Sequence, residues 1–373
     1  MWPAWWSRCV PRLSERAIET SGPTDVRSSR ARLAVVLFNL GGPDRPESIR
    51  PFLLNLFNDP AILRVPFPVR PLLARRIANA RLKPACASYA VLGGRSPLLD
   101  LTRQQAAALQ AELAEMEAKC FIAMRYWHPM SDETARAVRD WAPDEVVLLP
   151  LYPQYSSTTT GSSFTAWREA AARAGLVCPT SVVCCYPDDP DYIAATAGLL
   201  RGALARTRAQ LGPGVGLRVL FSAHGLPEAI VRAGDPYQWQ IERTVAAVLA
   251  LLEQPIDWTI CYQSRATPQR WIQPSTEQEI ERAASDKVAV LVVPIAFVSE
   301  HSETLVELDV DYRDLADRLG VPGYFRVPTQ NSDAAFIAAL AGLVRRARAC
   351  RGRQRLCPAA CRLCPTLGGL DPS

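Results

Sequence analysis

Short apolar, β-branched runs alternate with longer amphipathic stretches from residue 33 to about 345. The runs predict strands at 33–39 (LAVVLFN), 121–126, 145–151 (EVVLLPL), 180–186, 217–223 (LRVLFSA), 257–262 and 288–297 (VAVLVVPIAF). Helices are predicted between them at 98–118, 131–141, 163–174, 190–210, 237–253, 275–285 and 332–348. Runs that are apolar throughout, not merely at alternate positions, mark strands buried on both faces, and so a parallel sheet with helices on either side. The alternation resumes after about residue 190, with a Gly/Pro break at 212–216 (GPGVG). This pattern predicts an α/β chain in two doubly wound halves, 31–188 and 189–348, with a cleft between them. Residues 1–30 read as a disordered extension headed by Trp2, Trp5 and Trp6, and 349–373 as a Cys/Pro-rich tail.

Charge narrows the partners. The net charge is +5, and all but Lys83, Lys119 and Lys287 of the 42 basic residues are arginine. No dense basic run, zinc-finger spacing or RNP-like aromatic motif accompanies them, which argues against nucleic acid. A mild, dispersed excess suits an anionic small molecule or an acidic membrane surface. No stretch of roughly 18 uninterrupted apolar residues is present, and residues 1–30 lack the apolar core of a secretory signal. The expected location is therefore cytoplasmic. Residues 52–77 (FLLNLFNDPAILRVPFPVRPLLARRI) read either as buried helix packing or as an apolar lip. Such a lip would cover a flat hydrophobic ligand and rest on the inner face of a membrane, with Arg64, Arg70, Arg75 and Arg76 near headgroups or ligand carboxylates.

Ligands of open α/β sheets bind beyond the carboxyl ends of the strands. Two of the three histidines follow strands directly: His224 in FSAHGLP and His301 in PIAFVSEHSETLVELD. Glu303, Glu307 and Asp311 recur every four residues, with Glu300 just before, so on an α-helix the acids would form one ladder leading from the crevice. Carboxylates with imidazole suit a passing divalent cation or departing protons. Strand 121–126 leads into RYWHP, and strand 145–151 into LYPQYSSTTTGSS, a hydroxyl-rich loop that either binds an anion at a helix start or simply caps it. The first strand ends in NLGGPD. With neither a G-x-G-x-x-G nor a GK[ST] loop, a nicotinamide dehydrogenase or a P-loop enzyme is poorly supported.

LFNLGGPD, YAVLGGRSP, RYWHP, LPLYPQYSSTTTGSS, FSAHGLP, GDPY, YQSR and PIAFVSEHSETLVELD occur in this order. On these motifs the sequence resembles the ferrochelatase family over roughly residues 33–345. The resemblance implies two Rossmann-like, chelatase-type domains, each a parallel four-stranded sheet flanked by helices, with a porphyrin clasped between them. It also implies a lyase that inserts ferrous iron into protoporphyrin IX. A related chelatase using coproporphyrin III, or a non-catalytic tetrapyrrole-binding protein, is the alternative. By motif, His224 matches the family's active-site histidine, as proton acceptor or transient iron ligand, and Glu303 the carboxylate facing it. Glu300, His301, Glu307 and Asp311 fall on the acidic helix assigned to metal or proton passage. Tyr89, Arg125, Tyr126 and Tyr152 match pocket-lining positions, Trp271 an aromatic near the porphyrin, and Ser96 a contact near the propionates.

Eleven cysteines are many for a chain without a secretion signal, and four of them crowd the end: Cys350, Cys357, Cys361 and Cys364. Clustered thiols point to a metal or a cluster. Many members of the family carry a [2Fe–2S] cluster in a C-terminal extension, and four thiolates suit one. A structural zinc or uncoordinated thiols are the other readings. The animal-type pattern draws its fourth ligand from the YSxSTTGSS loop, where this chain has Ser156 and Ser157. Its ligands are then all in the tail, or include Cys178, Cys184 or Cys185.

Overall fold

A computed structural model describes residues 31–264 and 269–350. The expected extension at 1–30 and the tail cysteines Cys357, Cys361 and Cys364 lie outside the described residues.

Among the described residues, eight strands form two parallel sheets. In the first, β1 (Arg32–Asn39), β2 (Glu117–Met124), β3 (Glu145–Pro150) and β4 (Thr180–Val182) take the order β2-β1-β3-β4. In the second, β5 (Leu217–His224), β6 (Asp257–Gln263), β7 (Ala289–Pro294) and β8 (Tyr324–Arg326) repeat it as β6-β5-β7-β8. Every pairing is parallel.

The apolar strand pattern follows from this layering. Leu33, Val35 and Leu37 of β1 enter one core while Ala34, Val36 and Phe38 enter another on the opposite face. In β5, Val219, Phe221 and Ala223 join the first of these cores, and Leu220 packs on the far side. The inner faces of the two sheets therefore share a single core. Helix α11 (Ala334–Cys350) reinforces that sharing. It carries Phe336, Leu340, Leu343 and Val344 into the common core and packs on α3 (Leu98–Glu112), α6 (Pro190–Gln210), β3 and β4. The last helix of the second half thus lies on the first sheet.

Buried polar bonds fix one half against the other. Gln105 donates to the carbonyls of Val298 (3.1 Å) and Asn331 (3.0 Å) and accepts from Ser299 (3.0 Å). Gln154 donates to Thr244 (3.0 Å), and the Tyr155 amide to Gln240 (2.7 Å). Buried groups satisfied in this way specify one arrangement, since any other would strand them.

Residues 52–77 do not form one lip. Helix α1 (Ile49–Phe57) packs on the 23-residue α2 (Val69–Val91) through Phe52, Leu53, Phe57, Ala74 and Ala78, which is the buried-packing reading. The segment 58–68 joins them; Phe67 at its outer end is 75% exposed, and Leu72 in the first turn of α2 is 67% exposed. The buried-packing reading holds for α1 and the helix it packs on.

Candidate active site

In both sheets the first strand is central, with its sequence successor on one side and the next strand on the other. That is the switch point at which α/β sheets open a crevice. The residues ending these two strands, Asn39 on β1 and His224 on β5, both line one cavity of about 610 Å³. The size suits a substantial organic ligand. Its walls are apolar: Leu56, Phe57, Ile62 and Leu63 come from the first half, Leu226, Pro227, Ile230 and Trp271 from the second. Trp271 approaches closely because residue 225 is glycine. A β-carbon there would lie 3.2 Å from the indole and 3.0 Å from the Gln263 carbonyl.

At one end the lining turns polar. His224 Nδ1 lies 2.9 Å from Glu303 Oε2, and His301 Nε2 lies 3.8 Å from the same oxygen. Burial disfavours the charged form of both His224 and Glu303, but each more than offsets this for the other. The His224 pKa is raised above its usual 6.5, and the Glu303 carboxyl is held well below the carboxylate range. With Nδ1 committed to Glu303, Nε2 is the His224 nitrogen left for a ligand. His301 is oriented by its contact with the Ser299 carbonyl at 3.1 Å.

Glu303 begins a π-helix, Glu303–Asp311, continued by α10 (Tyr312–Leu319). Such i→i+5 turns are rare and gather at functional sites. Side chains four apart drift around its axis, so the expected single ladder is broken. Glu303 and Glu307 line the cavity, whereas Asp311 is exposed and faces Asp314. Glu307 accepts from Gln263 (3.0 Å), Ser264 and the Tyr312 hydroxyl (3.1 Å). Its pKa is raised, first by burial and then by the Glu303 charge. Glu300 precedes the helix and is turned away, accepting from Arg326 (2.9 Å) and the Thr329 amide (3.0 Å).

Tyr152 and Trp271 also line the cavity. Four further predicted contacts lie outside its lining: Tyr89, Ser96 and Tyr126 are buried, and Arg125 is half-buried. Asp59 gathers Arg125 (2.8 Å), the Tyr126 hydroxyl (2.8 Å) and Ser162. Ser96 is packed against Gly42, with the Tyr89 hydroxyl nearby. Burial pushes the Tyr89 pKa up to about 12. Sequence reasoning missed Asn39, Arg81, Tyr237 and Glu277, all of which line the cavity. Arg81 stands five residues after Arg76, off any helical repeat with it, and neither it nor Glu277 carried a local signal.

A family model described as Ferrochelatase matches residues 32–348. The chain belongs to the ferrochelatase family. Curated ferrochelatases of Caulobacter vibrioides (strain ATCC 19089 / CIP 103742 / CB 15) and Phenylobacterium zucineum (strain HLK1) are each 54% identical to it. They align over 318 and 314 residues, 84% and 83% of this chain and 90% of each relative. Among solved structures, SirB from Bacillus subtilis with Fe3+ is similar in fold, with a TM-score of 0.50 at 12% identity over 87% of this chain and 98% of that one. These matches agree with the two-sheet α/β architecture.

Among the described residues no three His, Cys, Asp or Glu side chains converge as a closed metal site. The internal thiols Cys178, Cys184 and Cys185 are all buried. Burial, with Asp144 and Glu145, pushes the Cys178 pKa up to about 11, and its Sγ donates to the Pro143 carbonyl. Cys184 and Cys185 are buried with Tyr155, and Gln240 donates to Cys185.

Proposed function

We propose that this member of the ferrochelatase family is a lyase that inserts Fe2+ into protoporphyrin IX, yielding protohaem and two protons in the last step of haem synthesis. The observation that carries this reading is the His224–Glu303 pair at the switch point of a largely apolar cavity. The free-base macrocycle holds two N–H protons where the metal must go. Binding energy along the apolar walls offsets the strain, roughly 1–5 kcal/mol, of bending the ring so that its nitrogen lone pairs are exposed. Neutral His224, oriented by Glu303, takes a pyrrole proton at Nε2. The imidazolium is stabilised by the Glu303 carboxylate and passes protons toward Glu307, after which the second N–H is removed in the same way. His301 positions Glu303 from the other side.

The choice of protoporphyrin over coproporphyrin III rests on the wall. Among the described residues lining the cavity, Arg81 is the lone arginine, which suits two propionates better than four. An anaerobic Fe2+ insertion assay with each porphyrin tests this. Faster turnover of protoporphyrin IX is expected; a preference for coproporphyrin III would overturn the assignment.

Two further readings belong here. Exposed Phe67, Val69 and Leu72, beside Arg64, Arg70, Arg75 and Arg76, suit a cytoplasmic protein resting peripherally on an anionic membrane face. Among the described residues no helix is long and apolar enough to cross a membrane. Cys350, Cys357, Cys361 and Cys364 together would hold a [2Fe–2S] cluster without an internal thiol. Metal insertion moves no electrons, so the cluster has no step in the reaction. Visible charge-transfer bands after anaerobic purification, lost on replacing Cys361, are the expected signature.

A further inference from the structure

The loop after β3 and the GDPY turn of the second half meet at one carboxylate. Asp235 is 8% exposed, and its Oδ2 accepts three hydrogen bonds from the first half: Ser156 Oγ at 3.0 Å, and Ser157 N and Oγ at 2.7 Å each. Its Oδ1 accepts from the amide of Tyr237 at 3.1 Å. Tyr237 begins α8 (Tyr237–Ala250) and lines the cavity, and its hydroxyl bonds the His224 backbone. The Ser157 hydroxyl has a second role: it accepts from Arg64 Nη2 at 3.2 Å. Arg64 lies in the 58–68 segment, immediately after Ile62 and Leu63, which form part of the apolar wall.

A hydroxyl that accepts from a guanidinium while donating to a carboxylate is polarised in the same sense by both charges. Arg64, Ser157 and Asp235 therefore form one continuous chain from the 58–68 wall segment to the opposite half. The segment 58–68 is also pinned at its base, where Asp59 holds Arg125, Tyr126 and Ser162. Between that base and exposed Phe67, the Arg64 bond is its tie to the loop that Asp235 grips.

We propose that Asp235 is a positioning residue which, through Ser157 and Arg64, straps the 58–68 wall segment to the second half and controls how readily a flat macrocycle leaves the cleft. The macrocycle rests on the reading above; the strap itself is independent of it. Charged groups at both ends of the chain make its loss worth about tenfold in an opening equilibrium.

Two measurements on the full chain test this. Hydrogen exchange of the ligand-free protein should show amides in 58–68 exchanging about tenfold faster in Asp235→Ala and in Ser157→Ala, with α1 unchanged. Protoporphyrin IX, followed by its fluorescence, should dissociate about tenfold faster from both variants. Arg64→Ala should have the same kind of effect alone and none when added to Ser157→Ala, as members of one chain require. A merely structural Asp235 would lower the melting temperature without selective exchange at 58–68, and that result overturns the strap. So do additive effects of Arg64→Ala and Ser157→Ala. Faster exchange in both variants, together with wild-type protein that binds no porphyrin, would sink the porphyrin reading and leave the strap standing.

Discussion

His224 and Glu303 are hydrogen bonded at 2.9 Å although they come from different elements, the end of β5 and the first residue of the π-helix. Each favours the other's charged form against burial, which acts toward the neutral form of both. The pair thus sets the pH at which His224 is free to take a proton.

Replacing Glu303 by Gln removes the main charge that lifts the His224 pKa and leaves only the smaller effect of Glu307 against burial, which lowers it. The acid limb of the kcat/KM–pH profile, where neutral His224 is lost, should move to lower pH. The maximal rate should fall about 10- to 100-fold as the imidazolium loses its partner. Steady-state insertion rates between pH 5 and 9 report both. A limb that stays in place would separate Glu303 from His224 titration.

Stability should carry the same signature. The Glu303 contribution is present above the unfolded carboxyl value of 4.5 and is lost only as pH falls through its depressed folded value. The His224 contribution is fully present below 6.5 and is lost as pH rises through its raised folded value. The melting-temperature gap between wild type and Glu303→Gln should therefore be widest from about pH 4.5 to 6.5, and shrink on both sides. Thermal scans across pH check the window.

The π-helix is held from outside by Arg326, which pairs with Glu300 (2.9 Å) and with Asp309 (2.7 Å) in a largely buried triad. Arg326→Met leaves two carboxylates unpaired and should cost about 3–5 kcal/mol. Urea unfolding with both insertion rate and melting recorded distinguishes this from a local effect on Glu303.

Membrane contact predicts a separable phenotype. Phe67→Ser with Leu72→Ser should reduce co-sedimentation with phosphatidylserine vesicles several-fold, while insertion into detergent-solubilised protoporphyrin IX stays within about twofold. Equal sedimentation of the variant and the parent would remove these side chains from the contact.

What the chain revealed in advance follows from burial. Strands β1, β3, β5 and β7 are apolar on both faces and were legible as continuous runs. Edge strand β8 has three residues, too few to show a period. Helix α2 spreads charge around its circumference and contains Pro84, so it read as part of a lip. His224 stood out because it ends a strand, but the spacing of Glu303, Glu307 and Asp311 suggested an α-helical ladder. The π-helical turn, visible only in three dimensions, sends Asp311 to solvent and keeps Glu307 at the cavity. Asp59 and Asp235 were hidden for another reason. Their partners lie 66–103 and 78–79 residues away, and no local pattern signals such pairings.

The central claim is that His224 accepts the protons which iron displaces. Its most direct test is single-turnover Fe2+ insertion into protoporphyrin IX already bound to His224→Ala, under anaerobic conditions. Binding should persist while the insertion rate drops about 100- to 10,000-fold, the range of a lost general base. A bound porphyrin metallated at the wild-type rate would contradict the account.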